Sequence, residues 1–201
     1  MADPQPRSGR ATLAMVVGAG VAAALGAFVP MEESGRRVEA SVAESGELQI
    51  RHISGSQYLA VYLDMVGVPT VCDGITSWRG KPLPKGRIFT EAECAAMLEE
   101  ELVKHASAVM ACTPGLALSA DPAMERRREG PRFAAVSLAY NAGAGRYCSS
   151  TARARFNAGD YPGGCTAITW WNKAGGFVVK GLVSRRAREA KVCREGLGAA
   201  V

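Results

Sequence analysis

The stretch "ATLAMVVGAGVAAALGAFVPM", Ala11–Met31, carries no charged side chain and must leave water, either into a bilayer or into a protein core. Its length suffices to span a hydrocarbon layer. Arg7 and Arg10 precede it, and Glu32 and Glu33 follow it, an asymmetry that directs the carboxyl side outward. Seven alanines and three glycines make it weakly apolar. It reads as a cleaved signal peptide, a permanent anchor or an anchor weak enough to leave the membrane. All three place the rest of the chain in an exported space. The expected organisation is a signal-anchor segment over 1–31, a polar linker over 32–47 and a folded domain over 48–201.

Six cysteines, Cys72, Cys94, Cys112, Cys148, Cys165 and Cys193, form no CxxC pair. That even, widely spaced set suits disulfides in an oxidising compartment better than zinc, which calls for paired ligand spacings. Six cysteines allow fifteen pairings. Cys148 with Cys165, Cys112 with Cys193 and Cys72 with Cys94 is one set that would staple the chain. No metal or cofactor is expected. The net charge of +5 suits a polyanionic partner, but no basic helix or aromatic-interleaved patch points to nucleic acid. A monomer is expected.

The fold class is α+β. "LQIRHISGSQYLAVYLD" is expected to contain a helix broken near Ser54–Gly55. "VGVPTVCDGIT" reads as a short strand or hairpin. Thr90 and Glu93 form a capping box for a helix running to about Cys112, with Cys94, Leu98, Leu102 and Val109 on its buried stripe. "RFAAVSLAYNAG", Arg132–Gly143, reads as a buried helix. The last third reads as short helices around a Gly-containing turn.

"YLDMVGVPT", "CDGIT", "FTEAEC", "SLAYNAGAG", "FNAGD", "WNKAGG" and "GLVSRRAREAKVC" occur in this order between Leu48 and Gly196. The ordered set resembles phage-type lysozymes, endolysins of glycoside hydrolase family 24. The resemblance implies a lysozyme-like fold, with a small β lobe and a mainly helical lobe. It also implies a muramidase that cleaves the N-acetylmuramic acid–N-acetylglucosamine linkage of peptidoglycan during host lysis. The run Ala11–Met31, as a transmembrane-like helix, resembles the signal-anchor-release segment of exported members, tethered to the inner membrane and freed into the periplasm.

Splitting a glycosidic bond needs an acid at the leaving oxygen and a carboxylate across the sugar ring. The family supplies Glu, then Asp nine positions later, then Thr six beyond. Asp64 and Thr70 match the last two. The bland alternative gives Asp64 to a turn and Thr70 to a strand. The acid position falls on Ser54 or Gly55, and neither can donate a proton there. Three explanations stay open: a stand-in carboxylate, with Glu47 preferred over Glu44 and Asp73; a catalytically impaired wall-binding protein; or a variant of an active enzyme. If Thr70 faces the cleft, strand alternation turns Cys72 toward it and Asp73 away. Asn141 resembles a cleft residue, or else caps its helix. Arg153 and Arg155 resemble residues flanking the saccharide groove. A free Cys72 that blocks the site before release is a further possibility.

Overall fold

The computed structural model describes residues 11–64 and 67–199; Arg7 and Arg10 lie outside them. Eight α-helices and four two-stranded antiparallel sheets are present among the described residues. The α+β expectation holds.

Two hydrophobic cores divide the molecule. The smaller contains Val71, Cys72, Ile75, Leu83, Phe89, Cys94 and Met97. The larger is built from the helices. Helix α3, Glu91–Cys112, joins them: Cys94 and Met97 enter the small core, while Leu98, Leu102, Ala106 and Val109 enter the large one. Thr90 and Glu93 close the reciprocal capping box at its start, as their spacing predicts. Helix α4 is Pro122–Ala142, a single helix that begins ten residues before the predicted Arg132–Gly143. It starts at the side-chain cap of Asp121 and runs through Pro131. It packs on α8, Lys180–Glu195, with α5 (Ala144–Cys148), α6 (Thr151–Asn157) and α7 (Tyr161–Ile168) between them in sequence.

The apolar amino-terminal run is where expectation and structure part. It forms two helices, α1 (Leu13–Val17) and α2 (Ala19–Ser34), broken at Gly18, where φ is +87°. Leu13, Val17, Val21, Ala22, Leu25 and Val29 belong to the large core. No helix among the described residues is long and apolar enough to cross a membrane. The fully buried Arg132 secures the break by donating to the Val17 carbonyl at 3.0 Å and to Glu125 at 2.6 Å. Glu99 of α3 accepts from the backbone N–H of Leu13 and of Leu48, both at 3.2 Å. The same lack of charge that suits a bilayer suits a core; in this state the segment is core.

The expected linker is also structured. β1 (Arg37–Val42) pairs with β2 (Leu48–Ser54) in an antiparallel hairpin. The expected helix at the start of "LQIRHISGSQ" is therefore a strand. Leu48 and Ile50 alternate with exposed Gln49 and Arg51, a period of two. The hairpin lies along α2. A Cβ at Gly26 would sit 2.8 Å from the Leu48 side chain, so the helix needs glycine for this approach. Gly35, with φ +70° and its N–H bonded back to Met31 and Pro30, ends α2 in a left-handed cap.

The disulfides are Cys72–Cys94, Cys112–Cys148 and Cys165–Cys193. The first matches the set considered above, and the other two exchange partners. Cys72 is bonded, so it cannot act as a free blocking thiol in this state.

Candidate active site

β3 (Tyr62–Leu63) and β4 (Pro69–Thr70) form a short hairpin that places Tyr62 opposite Thr70. Asp64 closes its turn: the Asp64 N–H donates to the Val68 carbonyl and an Asp64 carboxylate oxygen accepts from the Val68 N–H at 2.8 Å. The buried Thr70 hydroxyl donates to the Val68 carbonyl at 3.0 Å. Both residues therefore have the local duties of the bland reading, and these place them on one hairpin. Residues 65 and 66 lie outside the described set.

After Thr70 the strand does not continue. Val71 bridges Ile75, and Cys72 takes φ +55°. The tight loop cancels the alternation expected from a strand: Cys72 enters the small core rather than the cleft, and Asp73, which faces away from the cleft as expected, is nevertheless buried, 1% exposed, against Arg36. The same loop sets Gly74 against Glu33: a Cβ on Gly74 would lie 3.6 Å from a Glu33 carboxylate oxygen.

Glu33 is a carboxylate that counting along the chain does not reach. It lies on the last turn of α2 and opens into a cavity of about 240 Å³ between the lobes, lined also by Gly74, Thr76, Glu101, His105, Tyr140 and Asn141. Its side chain keeps 23% of its surface exposed, and Arg185 of α8 donates to it at 2.6 Å. Burial disfavours the charge on Arg185, but Glu33 and Glu189 outweigh it, and the guanidinium pKa stands above its ordinary value. Arg185 also donates to Glu189, which is fully buried and bonded to Ser137. Burial pushes the Glu189 carboxyl up, and Arg186 and Arg185 pull it back only in part.

Tyr62 lies on the hairpin opposite Thr70. Burial raises its hydroxyl pKa first, with further upward contributions from Tyr58, Asp64, Asp73 and Glu33. His105 packs against Tyr140 with ring centres 5.4 Å apart and the ring planes inclined by 56°. Burial lowers its pKa, Glu101 raises it less, and Lys104 lowers it slightly.

The other sequence candidates separate. Asn141 lines the cavity and accepts from Arg186 at 3.1 Å; the helix cap is Gly143. Ser54 ends β2 at the base of the inserted hairpin, and Gly55 lies against the Gly35 carbonyl. The counted acid position is therefore beside the turn that follows Glu33, but on the returning strand. Glu47 is at the opposite end of the hairpin, in a different cavity with Thr12 and Glu99; the tip points away from α2's carboxyl end, so Glu47 does not reach Glu33. Arg153 donates to the Cys112 carbonyl, and Arg155 pairs with Asp160 and lies over Trp170; neither lines the Glu33 cavity. The alternation of Val38, Ala40 and Val42 with that of Leu48 and Ile50 marks residues 37–54 as a hairpin and points upstream of it to Glu33, although with the hairpin skipped Glu33 still lies thirteen positions before Asp64 rather than nine.

The sequence model for phage lysozyme matches residues 54–189. The chain belongs to the phage lysozyme family. The family match starts at Ser54, so Glu33 lies upstream of it. Among relatives, the SAR-endolysin of Enterobacteria phage P21 is 36% identical over 157 residues, covering 78% of this chain and 87% of its own length. The SAR-endolysin of Bacteriophage PS119 is 38% identical over 135 residues, covering 67% and 73%. Among solved structures, an endolysin from Escherichia coli O157:H7 phage FAHEc1 superposes with a TM-score of 0.60 at 25% identity, covering 85% of this lysozyme-family chain and 89% of its own.

Proposed function

We propose that the protein is a peptidoglycan hydrolase of host lysis, a muramidase with Glu33 as general acid. The observation that carries this reading is the position of Glu33: an accessible carboxylate in the cavity between the lobes, held by Arg185 and facing Gly74 of the loop that follows Thr70. Glu33 protonates the glycosidic oxygen as it departs. Asp64 stabilises the positive charge that develops on the sugar, or orients water toward it. The Thr70 hydroxyl gives its proton to the Val68 carbonyl, so its lone pairs are left to accept from the attacking water. Asn141 contacts the saccharide in the cavity, whereas Arg153 and Arg155 lie outside it and serve a more distant part of the glycan. No cofactor takes part, and the enzyme acts as a monomer.

Before lysis, residues 11–31 hold the exported chain at the inner membrane, and the enzyme then passes into the periplasm. The absence of charge over that run and the SAR-endolysin names of its relatives support this route. The test is release of reducing ends from purified peptidoglycan by the full chain, beside Asp64→Asn. Release that falls by orders of magnitude in the variant is expected. Sedimentation with the wall and no release by either protein contradicts the proposal.

A further inference from the structure

The family spacing joins acid and aspartate through a short stretch of chain. Here Glu33 and Asp64 are separated by the β1–β2 hairpin, so the covalent connection no longer fixes one against the other. A set of polar contacts replaces it. Arg36, three residues after Glu33, is 3% exposed and grips the buried Asp73 with two hydrogen bonds, Nε at 3.2 Å and Nη2 at 2.7 Å. Its third nitrogen, Nη1, donates to Glu91 in the first turn of α3 at 3.1 Å. The Ser34 hydroxyl, next to Glu33, lies 2.9 Å from the Asp73 carboxylate and 2.8 Å from the Pro30 carbonyl. Tyr140, which lines the cavity, donates to the Asp73 carbonyl at 3.4 Å. The neighbouring Cys72 is tied to α3 through Cys94.

We infer that Asp73 and Arg36 are positioning residues: a buried clamp that holds the end of α2, and with it Glu33, in register with the Thr70 loop across the inserted hairpin. The inference rests on the reading of Glu33 as the acid. An arginine with both carboxylate oxygens in a fork fixes direction as well as distance, which a lysine cannot do. Flanking contacts on both sides explain the precision: Ser34 is bonded to the helix it ends, and Gly74, one residue past Asp73, abuts the Glu33 carboxylate. Neither Asp73 nor Arg36 lines the cavity, so their effect on turnover runs through Glu33.

The test measures kcat and KM for reducing-end release, with thermal unfolding, for Asp73→Asn, Arg36→Lys and the milder Ser34→Ala. Arg188→Gln serves as the stability control, since Arg188 pairs with Glu32 on the same turn of α2. A misplaced catalytic group costs about a hundredfold per ångström. The expected result is a kcat at least about tenfold lower in folded Asp73→Asn and Arg36→Lys, with a smaller fall in Ser34→Ala, KM nearly unchanged, and wild-type kcat in Arg188→Gln. A wild-type kcat in any folded Asp73 or Arg36 variant overturns the clamp, as does a loss confined to KM. If both of those variants fail to fold, an unchanged kcat in Ser34→Ala overturns it. Glu33→Gln run alongside separates the two ideas: activity retained there removes the acid reading itself, whereas activity lost there with unaltered Asp73 and Arg36 variants removes only the clamp.

Discussion

Replacing Arg132 by methionine tests how the amino-terminal helices are held in the core. Arg132 is fully buried and donates to the carbonyls of Val17, Leu116 and Ala117 and to both oxygens of Glu125. Methionine fills much of the volume but donates nothing. Ala117 is exposed and Glu125 is reachable by water, so their loss is moderate. The Val17 and Leu116 carbonyls are left unpaired in the core, at about 1–3 kcal/mol each. Their sum agrees with the roughly 3–5 kcal/mol for breaking a buried ion pair from one side. For a chain of this size that corresponds to a fall in Tm of about 6–20 °C. Glu125 adds a pH signature. Its hydrogen bond from Arg132, its largest cause of shift, leads the other effects in holding its carboxyl below the ordinary 4.5 despite some burial. A depressed folded pKa gives stability that is present above the unfolded value and lost as pH falls through the folded one. The Tm deficit of Arg132→Met should therefore be full at pH 7 and shrink in acid below pH 4.5. Thermal unfolding followed by circular dichroism at both pH values reads this. A Tm within about 2 °C of wild type at pH 7 would refute the reasoning.

Other perturbations give smaller or more local effects. His105 has a lowered pKa because it is buried, so the fold loses stability as pH drops below the ordinary 6.5 toward the folded value; His105→Gln should flatten the change in urea midpoint between pH 8 and pH 5.5, and an unaltered slope assigns it elsewhere. Removing the Cys72–Cys94 bridge with paired alanines opens a loop of sequence separation 22, which should cost about 3 kcal/mol in urea unfolding; no measurable loss would mean that the unfolded chain is constrained by other means.

The parts of the fold legible in the sequence are those set by local rules. The α3 capping box lies within four residues, Thr90–Glu93, and its buried stripe follows a fixed period. Asp64 and Thr70 share one hairpin, so their spacing survives. Glu33 was hidden because it lies on the far side of the β1–β2 hairpin, whereas a count of nine back from Asp64 stops at Gly55. The polar, small residues of that hairpin resemble a tether until their alternation is counted. Cys72, expected to face the cleft, is buried in the small core instead, because alternation stops where it takes a positive φ. The destination of Ala11–Met31 was not decidable from hydropathy, since a core and a bilayer select the same side chains; the specific ties are single polar contacts from Arg132 and Glu99. The disulfide partners depend on how α5, α7 and α8 pack, which no spacing encodes.

The claim that Glu33 supplies the proton is tested most directly by one comparison of initial rates of reducing-end release from purified peptidoglycan, with Glu33→Gln and Glu47→Gln set against the wild-type chain. Glutamine preserves size and hydrogen bonding but cannot act as the acid. The account predicts a loss of about two to four orders of magnitude for Glu33→Gln and a wild-type rate for Glu47→Gln. A wild-type rate for Glu33→Gln, or a collapse for Glu47→Gln alone, would contradict it.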